Sequence, residues 1–170
     1  YADAIGRVMG FSAEGLRDLR RAALLHDVGK LGVSNRILDK PGKLTEQEFA
    51  AVRRHPEYTY RILARVAPFR ALAETAASHH ERMDGRGYHR GIPAGALSPP
   101  ARVLAVADVC DALSAERPYR AALPRERVLG IMREQVGSAL CPDSFAALEQ
   151  AFAADPGLGM GQAAEIATAP

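Results

Sequence analysis

The sequence has little of several features that define other classes of protein. Its two cysteines, Cys110 and Cys141, form neither a disulfide framework nor the ligand spacing of a zinc ribbon. No apolar run approaches the roughly 20 residues that cross a membrane, and no signal peptide is visible. The net charge of +2 is far from the strongly basic balance typical of nucleic-acid-binding proteins. Together these absences predict a cytoplasmic domain that binds neither DNA nor RNA.

The alternating patterns of β-strands are also absent, whereas helical patterns recur along the chain. Ser12 stands at an N-cap position before an apolar stripe, and Thr45 with Glu48 forms a capping box. The segment 83–100, with four glycines and three prolines, is predicted to be an ordered loop. The predicted fold class is all-α, an irregular helical bundle. Its helices are expected over 13–25, 45–54, 56–66, 69–80, 100–113, 125–136 and 143–153.

The length of 170 residues suits one domain with its own hydrophobic core. We expect this domain to span residues 1–155, and the glycine- and alanine-rich stretch 156–170 to be a flexible tail or linker. Tyr1 rather than Met begins a helix-like pattern that has no cap. The amino-terminal helix is therefore predicted to be truncated, and the chain to be part of a longer one.

Imidazoles and carboxylates recur in or at the ends of the predicted helices. Asp108 interrupts the most apolar helix, where a buried carboxylate costs several kcal/mol unless a cation or several donors accompany it. Imidazole and carboxylate without thiolate suit Fe or Mn, with Zn or Ni as further candidates. A salt bridge to a helix arginine would also satisfy Asp108, and histidines can simply pack in a core. The spacing alone leaves both readings open for His26, Asp27, His55, His79, His80 and Asp108.

Several motifs, occurring in order between about residues 11 and 145, are similar to those of the HD-GYP family. The first is LLHDVGKLGV at 24–33, continued by ILDKPGKLT at 37–45, in which His26 and Asp27 resemble the HD signature. His55 follows, and then HHERMDGRGY at 79–88, ADVCDAL at 107–113 and RPYR at 117–120. The resemblance implies a helical HD-type domain and a metal-dependent phosphodiesterase that acts on a cyclic dinucleotide, usually cyclic di-GMP.

The resemblance also implies a metal centre with two divalent ions. Asp27 would bridge the ions and take part in catalysis, and a hydroxide between them would attack phosphorus. Lys30 resembles the lysine beside the family's site, where it can steady phosphate charge or aid the leaving oxygen. By the same resemblance, His26 and Asp108 would complete the coordination of one ion, and His55, His79 and His80 would bind the other.

Further residues resemble the family's contacts to the substrate. Arg117 and Arg120 match basic residues that bind phosphate, for which the planar guanidinium is well suited. Gly85, Gly87 and Tyr88 match the loop that gives the family its name, where a tyrosine can stack on a purine. Asp111, one turn after Asp108, is expected either to pair with an arginine or to support the site from the same helix, and it is counted among the substrate-binding residues. Family members sit in longer signalling chains, so an attached sensor or regulatory domain is expected.

The chain departs from the family pattern in two places. Gly87-Tyr88-His89 stands where the family has Gly-Tyr-Pro. A further metal-ligating histidine of the family would fall upstream of Tyr1. The ion at His26 and Asp108 is therefore expected to have an incomplete set of protein ligands. The chain is then expected to bind one metal ion more tightly than two. Two other interpretations are a phosphohydrolase of another nucleotide and a non-catalytic regulatory module.

Overall fold

The computed structural model describes residues 1–116 and 121–159. Over these ranges the chain is helical and contains no β-strand, only an isolated backbone bridge between Val136 and Leu140. The prediction of an all-α fold is confirmed. The α-helices in the described ranges are α1 (Ala2–Val8), α2 (Ala13–Leu25), α3 (Asn35–Leu38), α4 (Glu46–Val52), α5 (His55–Leu63), α6 (Ala73–Ala77), α7 (Pro99–Ser114), α8 (Arg125–Arg133) and α9 (Pro142–Ala154). Short 3₁₀ segments cover Val28–Gly32, Ala67–Leu72 and Ala94–Ala96.

Two predicted caps begin their helices as expected. The Ser12 hydroxyl accepts the N–H of Gly15 at 3.1 Å at the start of α2. Before α4, Thr45 and Glu48 exchange both hydrogen bonds of a capping box. The single helix predicted over 69–80 is wrong, because the structure divides it into a 3₁₀ segment and the short helix α6. Pro68, at the start of that 3₁₀ segment, favours a tight turn because it lacks an N–H.

Helix α7 is the centre of the bundle. It is apolar nearly all round, and Val103, Val106 and Cys110 on it are fully buried. Helices α1, α2, α6, α8 and α9 all pack against it. A helix surrounded in this way holds its few polar side chains in fixed positions, and Asp108 is one of them.

The turn after α2 is locked onto α5 by a buried threonine. The N–H of Gly29 donates to the Thr59 hydroxyl at 3.0 Å, and that hydroxyl donates to the carbonyl of His26 at 2.7 Å. A Cβ added at Gly29 would lie 1.9 Å from the carbonyl oxygen of His55. Only glycine therefore allows the two segments to approach so closely.

We expect Gly29→Ala to destabilise the domain by about 3 kcal/mol, because the new methyl group must push α5 away from the turn. Urea unfolding followed by circular dichroism would measure the loss. Gly95→Ala is the matched control, since a Cβ there meets nothing within 4 Å, and it should stay within about 0.5 kcal/mol. Equal stability of the two variants would contradict this account of the packing.

Over the described residues, every helix is too short or too polar to cross a lipid bilayer.

Candidate metal centre

Six side chains from separate parts of the sequence meet in one cleft of the bundle. They come from the end of α2 and the turn after it, the start of α5, the turn after α6, and the middle of α7. Ligand atoms of two groups of three lie within 4.8 Å of one another, one group being His55, His79 and His80 and the other His26, Asp27 and His79. The structure thus brings together all the side chains that the sequence analysis singled out as metal ligands: His26, Asp27, His55, His79, His80 and Asp108.

Three of the histidines are oriented in the same way. The Nδ1 atoms of His26, His55 and His79 lie 2.6, 2.8 and 2.6 Å from the backbone carbonyl oxygen three residues earlier in the chain. A carbonyl oxygen only accepts, so each Nδ1 must carry the hydrogen, and in the neutral ring the lone pair is on Nε2. The local helical turn therefore directs three Nε2 atoms into the cleft, as in metal sites where the second ring nitrogen is held by the backbone.

The two oxygens of Asp27 face different histidines. Oδ1 lies 3.2 Å from Nε2 of His55 and 3.9 Å from Nε2 of His79. Oδ2 lies 3.4 Å from Nε2 of His26 and 2.6 Å from Nζ of Lys30. The carboxylate thus stands between two sets of imidazoles, in the position that a bridging ligand would need.

Asp108 closes the cleft from α7. Its Oδ1 lies 3.5 Å from Nε2 of His26, and its Oδ2 lies 3.8 Å from Nδ1 of His80. Among the described residues no arginine lies within salt-bridge distance of this carboxylate, so the arginine partner considered from the sequence is not seen there. Asp108 instead faces the imidazoles, which leaves its charge directed at the centre of the site.

The charges of the cleft shift two pKa values in opposite directions. Burial opposes protonation of His26, but hydrogen bonds to Asp108 and Asp27 outweigh it and raise the pKa of His26 to about 10. For Asp27, burial is likewise outweighed by hydrogen bonds to His26, His55 and Lys30, which hold its pKa far below the ordinary value. Without a metal ion, a proton on His26 supplies part of the positive charge that the carboxylates require.

His79 and His80 have shifts of the opposite sign. Burial, followed by the neighbouring imidazoles, lowers the pKa of His79, and burial together with His55 lowers that of His80 to about 3. Both rings are therefore neutral at ordinary pH, which is the form that binds a metal ion.

The fit to a metal ion follows from the contact between His55 and His79. Their Nε2 atoms are 3.0 Å apart, and each ring already uses Nδ1 as a donor. Two bare lone pairs at this distance repel each other unless a proton or a cation lies close to both. Neutral imidazoles beside carboxylates are ligands that first-row divalent ions accept. The donor set thus fits a metal ion.

The glycine-rich loop after the histidine pair packs tightly against the site. Gly85 has φ of +71°, and a Cβ at Gly87 would lie 2.5 Å from Cα of Glu81. The ring of Tyr88 stacks on His80 with centroids 4.6 Å apart, and the guanidinium of Arg53 lies 5.0 Å from the centroid of the same ring. Tyr88 therefore supports a candidate metal ligand. Burial raises its pKa.

His89 has an unusual backbone conformation. Its φ is +114°, whereas the ring of proline fixes φ near about −65°. The loop after Tyr88 thus follows a path that a proline at this position could not take.

The other predicted substrate residues are placed as follows. Asp111 is exposed and lines a cavity of about 220 Å³ together with His26 and Asp108. Lys30 is partly exposed beside Asp27. Arg117 and Arg120 lie outside the described residues.

One residue with a clear structural role was not predicted from the sequence. Glu81 is only 3% exposed, and its carboxylate accepts the N–H groups of Arg90, Gly91 and Ile92 at 2.8, 3.2 and 3.0 Å. It thereby closes the loop that carries Tyr88. The sequence offered one sign of this role, an acidic residue directly after two adjacent histidines and before a glycine-rich loop whose backbone N–H groups need acceptors.

This chain is a helical bundle in which histidines and aspartates from several helices meet in one cleft. That arrangement is typical of helical domains that bind metal ions. The chain belongs to the HD-domain family, since the family model described as HD domain matches residues 1–143. The family resemblance seen in the sequence is thereby confirmed.

Known proteins similar to this chain are phosphodiesterases by name. It is 53% identical over 152 residues to 3'3'-cGAMP-specific phosphodiesterase 3 of Vibrio cholerae, a match covering 89% of this chain and 33% of that protein. It is 40% identical to the cyclic di-GMP phosphodiesterase response regulator RpfG of Xanthomonas campestris, with 86% and 39% covered. A crystal structure of a cyclic GMP-AMP-specific phosphodiesterase from V. cholerae is 48% identical, with a TM-score of 0.53 and coverage of 90% and 34%. The chain spans about a third of the length of these relatives.

Proposed function

We propose that this domain is a metal-dependent phosphodiesterase that opens a cyclic dinucleotide to a linear one. The observation that carries the proposal is the position of Asp27, with one oxygen facing His55 and the other facing His26. The relatives support the substrate class, because their names specify cyclic di-GMP or 3'3'-cGAMP. Both cyclic dinucleotides are therefore candidates for this chain.

We propose two divalent ions, Fe or Mn by the donor types, with Ni or Zn as further candidates. His26, Asp27 and Asp108 would hold one, and Asp27, His55, His79 and His80 would hold the other. Bound there, such ions would activate a water molecule and neutralise charge on the phosphate. The set with three histidines offers more ligands than the set with His26, so it should retain its ion more tightly. Metal analysis after dialysis should therefore find more than one but fewer than two ions per chain.

The remaining site residues are proposed to bind and orient the substrate. The Lys30 ammonium, 2.6 Å from Asp27 Oδ2 and partly exposed, is placed to hold a phosphate oxygen or to protonate the leaving oxygen. Gly85, Gly87 and Tyr88 would shape the rim, and Asp111 would border the cleft one turn from Asp108. Arg117 and Arg120 are proposed as further phosphate contacts.

We further propose that the domain spans residues 1–155, works in the cytoplasm and is attached to a sensor or regulatory domain. Both cysteines are unpaired and buried, which suits a reducing compartment. The relatives, about three times longer, leave room for such a domain.

The proposal is tested by incubating the protein with Mn²⁺ or Fe²⁺ and either cyclic di-GMP or 3'3'-cGAMP, with chelator-treated protein as the blank. The expected product is the linear dinucleotide, resolved by chromatography and identified by mass. Binding of a cyclic dinucleotide without cleavage would overturn the enzyme in favour of a regulatory module. Release of phosphate from mononucleotides, with cyclic dinucleotides untouched, would indicate a nucleotide phosphohydrolase.

Metal binding at His26 should compete with protons. Because the pKa of His26 is raised to about 10, a metal ion must displace its proton throughout the neutral range. The affinity of the ligand set His26, Asp27 and Asp108 for Mn²⁺ should therefore rise about tenfold per pH unit between about pH 6 and 8. Calorimetry in buffers of different ionisation enthalpy should find about one proton released for each ion that binds to His26, Asp27 and Asp108. His26→Gln should flatten the dependence, and a pH-independent affinity in the wild type would contradict the assignment.

A further inference from the structure

A second cavity opens beside the candidate metal centre, and we call it the arginine cavity. Its volume is about 370 Å³, within the range of small-ligand sites. Two of the candidate metal ligands, His79 and His80, line it, so it lies directly beside the metal centre. The guanidinium-bearing residues Arg53, Arg82 and Arg86 line it as well. A ligand held at the metal centre can therefore extend into the arginine cavity.

The charges of the arginine cavity are not balanced by its own carboxylates. Arg82 is paired with Asp84 through two hydrogen bonds, at 3.0 and 2.6 Å. Glu81 also lines the cavity, but its carboxylate accepts three backbone N–H groups of the loop. In the part of the chain that the structure describes, Arg53 and Arg86 form no salt bridge, and the carboxylate near Arg86, that of Asp84, is already paired with Arg82. Two cations thus remain to attract an anion.

The Arg53 guanidinium and the backbone of Arg86 are held in place. The Arg53 guanidinium lies 4.8 Å from the centroid of the Phe49 ring and 5.0 Å from that of Tyr88. The backbone N–H of Arg86 donates to Asp84 at 3.0 Å, and the N–H of Asp84 donates to the carbonyl of Ser138 at 2.8 Å. The loop that carries Arg86 is thereby fixed against the turn after α8. A guanidinium held between two rings, as that of Arg53 is, loses less entropy on binding a phosphate, and Arg86 presents an exposed guanidinium from a fixed backbone.

The rest of the wall suits a nucleoside. Small apolar side chains of Ala105 and Val109 on α7, with Ala139 and Leu140 after α8, provide an apolar surface, and Gln135 adds an amide. A mixed lining of this kind can hold a base and a sugar next to a phosphate.

We propose that the arginine cavity binds the half of a cyclic dinucleotide that is not being cleaved, with Arg53 and Arg86 on its phosphate. The inference rests on the proposed function, which supplies a substrate with two phosphates, only one of which can occupy the metal centre. The other phosphate then requires cationic partners at a distance from the metal ligands, and these two side chains offer them in addition to the contacts proposed for Arg117 and Arg120.

The test compares Arg53→Gln and Arg86→Gln with the wild type on two substrates. Cyclic di-GMP carries the second phosphate, and bis(p-nitrophenyl) phosphate does not. Each variant should raise KM for cyclic di-GMP about tenfold, and by at least fivefold more than it raises KM for the small diester. Arg17→Gln, an exposed arginine on α2 paired with Glu14, is the control and should change neither value. Equal rises in KM for both substrates would overturn the assignment to the second phosphate.

A binding measurement separates this inference from the proposed function. Calorimetric titration of a phosphorothioate analogue of cyclic di-GMP that resists hydrolysis into metal-loaded wild-type protein needs no turnover, and Arg53→Gln or Arg86→Gln should raise Kd about tenfold. An unchanged Kd overturns the inference. If the dinucleotide binds through these arginines but is never cleaved by the wild type, the proposed enzyme fails and the arginine cavity stands.

Discussion

Asp27→Asn should lower kcat for cyclic dinucleotide hydrolysis by about a thousandfold or more, on the order of 4 kcal/mol in the barrier. The substitution keeps the shape of the side chain but removes the charge between the two sets of imidazoles. An amide offers one oxygen, so it cannot face His55 and His26 with equivalent acceptors. The variant should therefore also lose bound metal.

The comparison requires a variant that removes the same charge elsewhere. Asp39→Asn, at the exposed end of α3, serves this purpose and should keep the wild-type rate within about twofold. Metal content and circular dichroism of both variants would separate loss of the site from loss of the fold. A folded Asp27→Asn protein with a rate near that of the wild type would end the role proposed for this carboxylate.

The sequence predicted best those features that depend on residues close together in the chain. The helical pattern interrupted by Asp108 predicted a carboxylate within the central helix, and the structure places it there, facing His26 and His80. The capping box at Thr45 and Glu48 depends on residues three apart and could likewise be recognised without a fold. The direction of the imidazoles was not predictable, because it depends on a turn of backbone that presents a carbonyl to each Nδ1.

Contacts between distant segments were outside the reach of sequence patterns. Arg53 follows α4, and only the packed structure brings its guanidinium over Tyr88, in the loop after the histidine pair. The helix predicted over 69–80 failed for a related reason. Helix α6 ends at Ala77, and His79 and His80 follow in a turn where both lie close to His55, a tertiary arrangement that local propensity does not encode.

The largest structural effect outside the metal ligands is expected for Glu81→Ala. The change leaves the N–H groups of Arg90, Gly91 and Ile92 without their acceptor, at about 1–2 kcal/mol each because they are only partly buried, so about 3–6 kcal/mol in total. The loop should then detach from the site, and Tyr88 should no longer be held against His80. Because the support of a metal ligand is typically worth about 10–100-fold in activity or affinity, kcat should fall by up to about a hundredfold.

Hydrogen exchange gives the decisive readout for Glu81, since a loosened loop exchanges its amides at 90–92 much faster while the helices stay protected. Glu81→Gln should lie between the wild type and Glu81→Ala, because the amide retains one acceptor oxygen. Glu74→Ala is the matched control, since Glu74 contacts the same Arg90 through an exposed ion pair at 2.8 Å, which is worth about 1 kcal/mol at most. If amide exchange at 90–92 were the same in Glu81→Ala and Glu74→Ala, the buried carboxylate would not be what holds Tyr88 at the metal centre.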